Sequence, residues 1–306
     1  MSRRRASGRP VNGILLFDKP IGRSSNSALQ QVKRIYSARK AGHTGSLDPL
    51  ASGLLPVCFG AATKLSAYLL DADKGYRMRA RLGVSTTTGD AEGDVTATCD
   101  ASAITREALL AAMDRFTGTI NQTPPMYSAI RHQGRRLYAL AREGVQVERA
   151  PRAVTIHSLT LLGFEDTEFE LEVLCSKGTY VRTLAEDIGA ALGVGAHVTA
   201  LRRTVVGPFR DDALWTLEAL EDLRANDPAR LDEILLPMDT ALGHLPEVRL
   251  DSASSFYLRQ GQPVLVAHAP TAGLLRVYDS EGDLLAVGEI DEAGMVAPKR
   301  LLKTGG

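Results

Sequence analysis

The chain has 306 residues, 36 basic and 36 acidic side chains, 44% hydrophobic content and no formal net charge at neutral pH. At roughly 150 residues per domain this length predicts about two domains, and no apolar run nears the ~20 residues that span a bilayer. The basic start Arg3-Arg4-Arg5 is not followed by a secretory apolar stretch, and Cys58, Cys99 and Cys175 suit neither a disulfide framework nor a paired-cysteine metal site, so a soluble, cytoplasmic, metal-free protein is expected.

An apolar run over residues 11–17 predicts a strand that Pro20 ends. Ser25 is positioned to cap a helix in which Ala28, Val32 and Ile35 recur at helical spacing. Over residues 76–82, Tyr76, Met78, Ala80 and Leu82 alternate with Arg77, Arg79 and Arg81, which predicts a half-buried strand with a basic outer face. A helix capped by Thr105 follows, to Phe116. Prolines bracket a polar, arginine-rich insertion over about 124–152, expected to project from the core. Residues 167–175 alternate again, Phe169, Leu171, Val173 and Cys175 against Glu168, Glu170 and Glu172. Helical spacing returns from Arg182 to Leu192 and stops at Gly193. The stretch 236–246 sets off a last segment with short β-like pieces at 264–267, 274–278 and 284–289. Strands and helices mix without a βαβ rhythm, so the class is α+β, divided into residues 1–245 and a small β domain over 246–306.

The neutral total hides segregated charge. Residues 1–40 hold ten basic groups against Asp18 alone, residues 131–152 hold six arginines against Glu143 and Glu148, and residues 211–251 hold eleven acids against three arginines. Basic regions of this kind can attract phosphates while the acidic segment keeps the total at zero. Solvated surface is the plainer explanation of a charge run, but the asymmetry favours a nucleic-acid partner.

Residues 42–56, GHTGSLDPLASGLLP, are the most unusual stretch. Glycines and prolines flank one carboxylate, Asp48, which Pro49 restricts to extended conformations. The glycines allow a bulky ligand close to the backbone. The Gly-Lys-Ser/Thr of a triphosphate-binding loop is absent, so no nucleotide cofactor is expected. A turn aspartate is by itself more often structural than catalytic.

This segment resembles the catalytic-aspartate motif of the TruB-type tRNA pseudouridine synthases. Further blocks agree in order: NGILLFDKP at 12–20, Tyr76 opening its own strand, CSKGTYVRT at 175–183, and GAHV at 195–198 leading to LRR at 201–203. The resemblance spans essentially the whole chain. It departs at Glu92-Gly93, where relatives often carry Asp-Gly, and the surrounding residues lack the glycine and terminal glutamate of a calcium loop.

The resemblance implies a mixed-sheet catalytic core, an insertion that grips the T arm of tRNA, and a C-terminal, barrel-like PUA-type RNA-binding domain. It implies isomerisation of uridine 55 to pseudouridine by a protein taken to be a monomer. Reactant and product contain the same atoms, so the implied reaction needs no cofactor and no metal. Asp48 would be the nucleophile and Arg182 its basic partner. Tyr76 would stack on the flipped uracil, a contact worth ~1–3 kcal/mol, against the few kcal/mol that flipping costs. His43 would fill the space the base leaves, Tyr180 and Leu201 would line the uracil pocket, and Lys64 and Lys19 would support it. Two rivals stand beside this. A non-catalytic tRNA-binding or tRNA-folding protein would use the insertion and the β domain alone. A hydrolase with an aspartyl nucleophile would need a second acid to activate water, and no obvious one stands near Asp48 in sequence.

Overall fold

The computed structural model describes residues 8–302, so Arg3, Arg4 and Arg5 lie outside the described residues. Seven strands form the spine of a mixed sheet: β1 (Gly13–Lys19), β2 (Ser52–Phe59), β3 (Lys74–Leu82), β4 (Gly118–Gln122), β5 (Arg152–Glu165), β6 (Glu168–Cys175) and β7 (Ala196–Val206). Their order across the sheet is β1-β2-β7-β3-β6-β5-β4, with short strands Ala41–His43 beside β2 and Phe209–Arg210 beside β7. Along that path every pairing is antiparallel except β2 with β7, where Arg202 faces Ser52 and Arg203 faces Gly53. Gly53 makes this junction feasible: its φ is +99°, and a Cβ there would stand 2.4 Å from the Arg203 carbonyl oxygen.

The alternating segments become central strands. β3 buries Met78, Ala80 and Leu82, and β6 buries Phe169, Leu171, Val173 and Cys175. Their register sets Arg77, Arg79 and Arg81 opposite Glu172, Glu170 and Glu168, and Glu170 pairs with Arg77 and Arg79. The face that alone reads as basic is therefore a ladder of both signs, with opposite charges directly across from one another. Tyr76 is the third residue of its strand, which Lys74 opens.

Helices α1 (Ser25–Ile35), α2 (Arg106–Asp114), α3 (Leu137–Arg142), α4 (Val181–Ala191), α5 (Leu217–Asn226) and α6 (Ser252–Arg259) pack around the sheets, with shorter helices at Ser66–Asp71 and Arg230–Glu233. α2 and α4 bury Leu109, Met113, Leu184 and Ile188 against Met78, Leu82, Phe169 and Leu171. At the β1–β2 end, α1 and α5 bury Leu29, Val32 and Leu220 against Phe17 and Leu55. The cap of α1 is Ser24, whose hydroxyl accepts from the Ser27 N–H at 3.2 Å, and not Ser25, which is buried and bonds to Leu47. Thr105 caps α2 as expected, but the helix ends at Asp114, short of Phe116.

The insertion between β4 and β5 carries its own small core of Met126, Leu137 and Leu140. Its hairpin pairs Arg131–His132 with Arg135–Arg136 through Gln133 and Gly134, both at positive φ as a tight two-residue turn requires. A second sheet, β8 (Glu247–Arg249), β9 (Leu274–Tyr278), β10 (Leu284–Ile290) and β11 (Val296–Leu301), runs in that order around a separate core of Val248, Leu258, Leu275, Val277 and Val296. Residues 264–267 do not form the expected strand. Val264 makes one isolated bridge to Val296, and the chain turns away through exposed Leu265 to His268 at φ +59°. The two sheets meet through Leu65, Leu242, Tyr278, Leu284 and Leu302, tied by a 2.7 Å bond from the Tyr278 hydroxyl to Asp239. No helix among the described residues is long and apolar enough to cross a membrane.

Candidate active site

The loop carrying Asp48 runs from the strand Ala41–His43 into β2 and is fastened on both sides of the carboxylate. Before it, the buried Ser25 hydroxyl accepts from the Leu47 N–H at 2.7 Å and donates to the Leu47 carbonyl at 3.1 Å. After it, the Ala51 N–H donates to the Asp48 carbonyl at 3.1 Å, and the Gly22 N–H to the Pro49 carbonyl at 2.8 Å. Lys19, fully buried at the end of β1, donates to the carbonyls of Pro20 at 2.8 Å and Ala51 at 2.7 Å, with Pro49 at 3.5 Å. Burial pushes the Lys19 amine down to about 8 against the pull of Asp48 and Glu92. Lys19 is thus a clamp on the loop that carries Asp48.

Asp48 faces Arg182, with Nε to Oδ2 at 2.9 Å. The Arg182 side chain is 5% exposed and that of Asp48 42% exposed, so the carboxylate stays open on one side while the cation is locked. Arg182 sits in the first turn of α4, where the helix dipole does not favour a cation. Its remaining donors reach the Thr88 carbonyl, the Tyr127 carbonyl at 2.7 Å and Asp90 at 3.6 Å. Asp90 is itself held by the Thr88 hydroxyl and the Glu92 N–H. Burial pushes the Asp48 carboxyl above its ordinary value, Arg182 pulls it back, and Asp90 adds a further push upward.

Two cavities meet at this pair. A cleft of about 950 Å³ extends from Asp48, His43 and Arg182 to Arg136, Tyr138 and Arg142 on the insertion. A smaller cavity of about 440 Å³ is lined by Asp48, Tyr76, Tyr180, Leu201, Arg182 and Arg203. The His43 ring has a buried Nδ1 with no hydrogen-bond partner among the described residues, and burial, reinforced by Arg203, lowers its pKa. Tyr180 precedes α4 and is gripped through its backbone by the buried Gln122 at the end of β4. The Tyr180 N–H donates to Gln122 Oε1 at 2.7 Å, and Gln122 Nε2 donates to the Tyr180 carbonyl at 3.0 Å. Lys64 lines neither cavity; it ends the 3-10 turn Gly60–Lys64 after β2, and its amine donates to the Leu301 carbonyl at 2.7 Å, joining that turn to the last strand of the second sheet.

Seven of the eight residues singled out from the sequence therefore converge on one place, six on the cavity walls and Lys19 beneath the loop. Asp90, Gln122 and Arg203 were not singled out. Arg203 carried a readable signal: it shares a strand face with Leu201 two residues earlier, so an apolar wall had to accommodate an arginine. Asp90 sits in a turn whose residues suggest no more than an incomplete calcium loop. Gln122 gives no sign of its partner 58 residues away.

Comparison with known proteins gives the family and the fold. Residues 33–181 match the family described as TruB family pseudouridylate synthase (N terminal domain), residues 182–243 the tRNA pseudouridylate synthase B C-terminal domain, and residues 246–302 Pseudouridine synthase II TruB, C-terminal. A tRNA pseudouridine synthase B of Nitrosococcus oceani is 54% identical over 299 residues, covering 98% of this chain and 97% of the relative. Among solved structures, a chain of a Cbf5-Nop10-Gar1 complex aligns with a TM-score of 0.74 at 28% identity, over 95% of this chain and 84% of that one. A chain of an H/ACA RNP bound to a substrate RNA containing 2′-deoxyuridine aligns with a TM-score of 0.72 at 26% identity, over 98% and 91%.

Proposed function

The chain belongs to the TruB family of pseudouridylate synthases, and we propose that it isomerises uridine 55 in the T loop of tRNA to pseudouridine with Asp48 as nucleophile. The observation that carries this reading is the Asp48–Arg182 pair, a carboxylate open on one side, held by a locked cation where the two cavities meet. Attack on ribose C1′, attack on uracil C6 and departure through a glycal all use the same ionised Asp48 and the same extruded base. The smaller cavity receives the uracil, with Tyr76, Tyr180 and Leu201 as its walls, and His43 fills the gap the base leaves in the loop.

Burial pushes the pKa of Asp48 upward, and Arg182 opposes that by favouring the charged form. The larger cleft leads to the arginines of the insertion, whose cations hold phosphates and thereby set the orientation of the T arm. In this reading residues 1–245 are the catalytic unit, residues 246–306 are a PUA-type RNA-binding unit, and the protein acts as a monomer in the cytoplasm, where its substrate is. The isomerisation conserves every atom, so it consumes no redox partner or nucleotide.

The direct test is incubation of the purified protein with an unmodified tRNA transcript, with excess EDTA and a polyamine to keep the RNA folded, followed by mapping of pseudouridine. Conversion at position 55 alone is expected. Tight binding without any product would favour the non-catalytic tRNA-folding alternative instead.

A further inference from the structure

Arg203 is 1% exposed, among the most completely buried large side chains of the protein, and among the described residues it makes no ion pair. Its Nε donates to the Leu54 carbonyl at 2.8 Å and its Nη2 to the Gly45 carbonyl at 3.2 Å. A buried cation without a carboxylate is costly, and two backbone carbonyls do not neutralise it. The sheet register supplies the missing reason. Arg203 lies directly opposite Tyr76 across the antiparallel β7–β3 pair, so both side chains emerge on the same face, and both line the cavity that holds Asp48. Burial raises the pKa of the Tyr76 phenol, and the charge of the Arg203 guanidinium across the strand pair pulls it back toward acidity. The other cations of this cavity are committed elsewhere: Arg182 to Asp48 and Asp90, and Lys74 to the carbonyls of Leu69, Leu70 and Ala72.

We propose that Arg203 is a positioning residue for the isomerisation, holding and polarising the Tyr76 hydroxyl so that its O–H donates to the uracil ring as that ring becomes anionic. The inference rests on the functional reading above. When the N1–C1′ bond breaks, its electron pair stays on the ring and spreads over N1, O2 and O4. C5 then forms the new bond to C1′ and releases its proton, and N1 takes one up, so the reaction balances without a co-reactant. Arg203 donates to the phenol oxygen, which leaves the O–H free and makes it a stronger donor to the ring, since hydrogen bonds in a chain polarise one another. The interaction is strongest when the ring carries charge, so it lowers the barrier more than it tightens substrate binding.

The test is single-turnover kinetics and tRNA binding for the parent, Arg203→Gln, Arg203→Lys, Tyr76→Phe and the double variant Arg203→Lys/Tyr76→Phe, each checked for cooperative thermal unfolding. Arg203→Gln is expected to slow the saturated rate about 10²-fold, the scale of losing a preorganised donor, with tRNA affinity within about three-fold, and Arg203→Lys to recover part of the rate. In the Tyr76→Phe background, Arg203→Lys should change the rate by less than about three-fold, because its target is already gone. Full additivity in this cycle overturns the proposal, as does a folded Arg203→Gln that turns over like the parent. If Arg203→Gln does not fold, the lysine cycle decides. A parent that forms no pseudouridine overturns the functional reading and this inference together, whereas an active parent with additive variants overturns only the role of Arg203.

Discussion

At Asp48 two opposing effects act on one carboxyl, and their balance sets a pH dependence. Burial and Asp90 raise its pKa above the ordinary value of 3.8, while Arg182 holds it down. With Asp48 as the proposed nucleophile, the reacting form is the ionised one, so activity is expected to be lost as pH falls through this raised pKa. The acid limb of the rate profile is therefore expected above the range of a free aspartate. Arg182→Gln removes the cation that favours ionisation, and whatever activity remains should show its limb displaced to higher pH. Single-turnover rates across the acid range measure this, and an unmoved limb would separate Arg182 from the charge state of Asp48. At this scale much of the site was legible. Pro49 and the flanking glycines mark the loop, and the ordered blocks mark Tyr76, Tyr180, Arg182 and Leu201. Asp90 was hidden because its importance lies in Arg182, a partner that only the fold brings near, whereas Arg203 showed on the face of Leu201 but its partner Tyr76 did not.

The elements explain why some local signals were decisive and others misleading. The alternation in β3 and β6 identified both strands and their buried faces, because a period of two has one physical meaning on a half-covered sheet. It could not show that the two strands are neighbours, so the arginines looked like an exposed basic strip when each faces a glutamate. Ser24 and Ser25 are equally good caps in sequence, and the choice is made by Leu47, whose backbone engages Ser25. The 264–267 run has strand-like residues but turns away after a single bridge. Gln122 ends β4 where the insertion begins, and its two bonds to the Tyr180 backbone connect the root of the insertion to the smaller cavity. Gln122→Ala leaves the Tyr180 N–H without its partner, at a cost of about 1–3 kcal/mol if it stays buried, while the Tyr180 carbonyl keeps the Leu184 N–H. It should lower the melting temperature and reduce the saturated turnover rate more than tRNA affinity. Thermal melts and single-turnover assays check both, and a variant equal to the parent in both would reduce Gln122 to a bystander.

Over the whole molecule charge sums to zero, and the cleft at Asp48 carries both signs, with Arg136 and Arg142 on the insertion and Asp90, Glu92 and Asp94 also lining it. Arg136 and Arg142 flank the Tyr138 ring at 5.9 and 5.8 Å and line the larger cleft, while Arg135 is engaged by Glu143. The sequence located this charge and its proline brackets, but not which arginines stay available to RNA. Replacing Arg131, Arg136 and Arg142 together by glutamine should weaken tRNA binding. It should also flatten the slope of log affinity against log salt by somewhat under about one unit for each phosphate that no longer meets an arginine. The saturated rate should fall less, because Asp48, Arg182 and Tyr76 remain in place. Salt titrations of binding measure this, and an unchanged slope would make the insertion a solvated hairpin without a grip.

The most direct measurement on the whole account is turnover by Asp48→Asn, which keeps the shape of the side chain and removes its nucleophilic charge. With an unmodified tRNA transcript in single turnover, the parent is predicted to convert uridine 55 to pseudouridine. The variant is predicted to form none while binding the tRNA within a few-fold of the parent. Pseudouridine formed at position 55 by the folded variant would contradict the assignment of Asp48 as nucleophile.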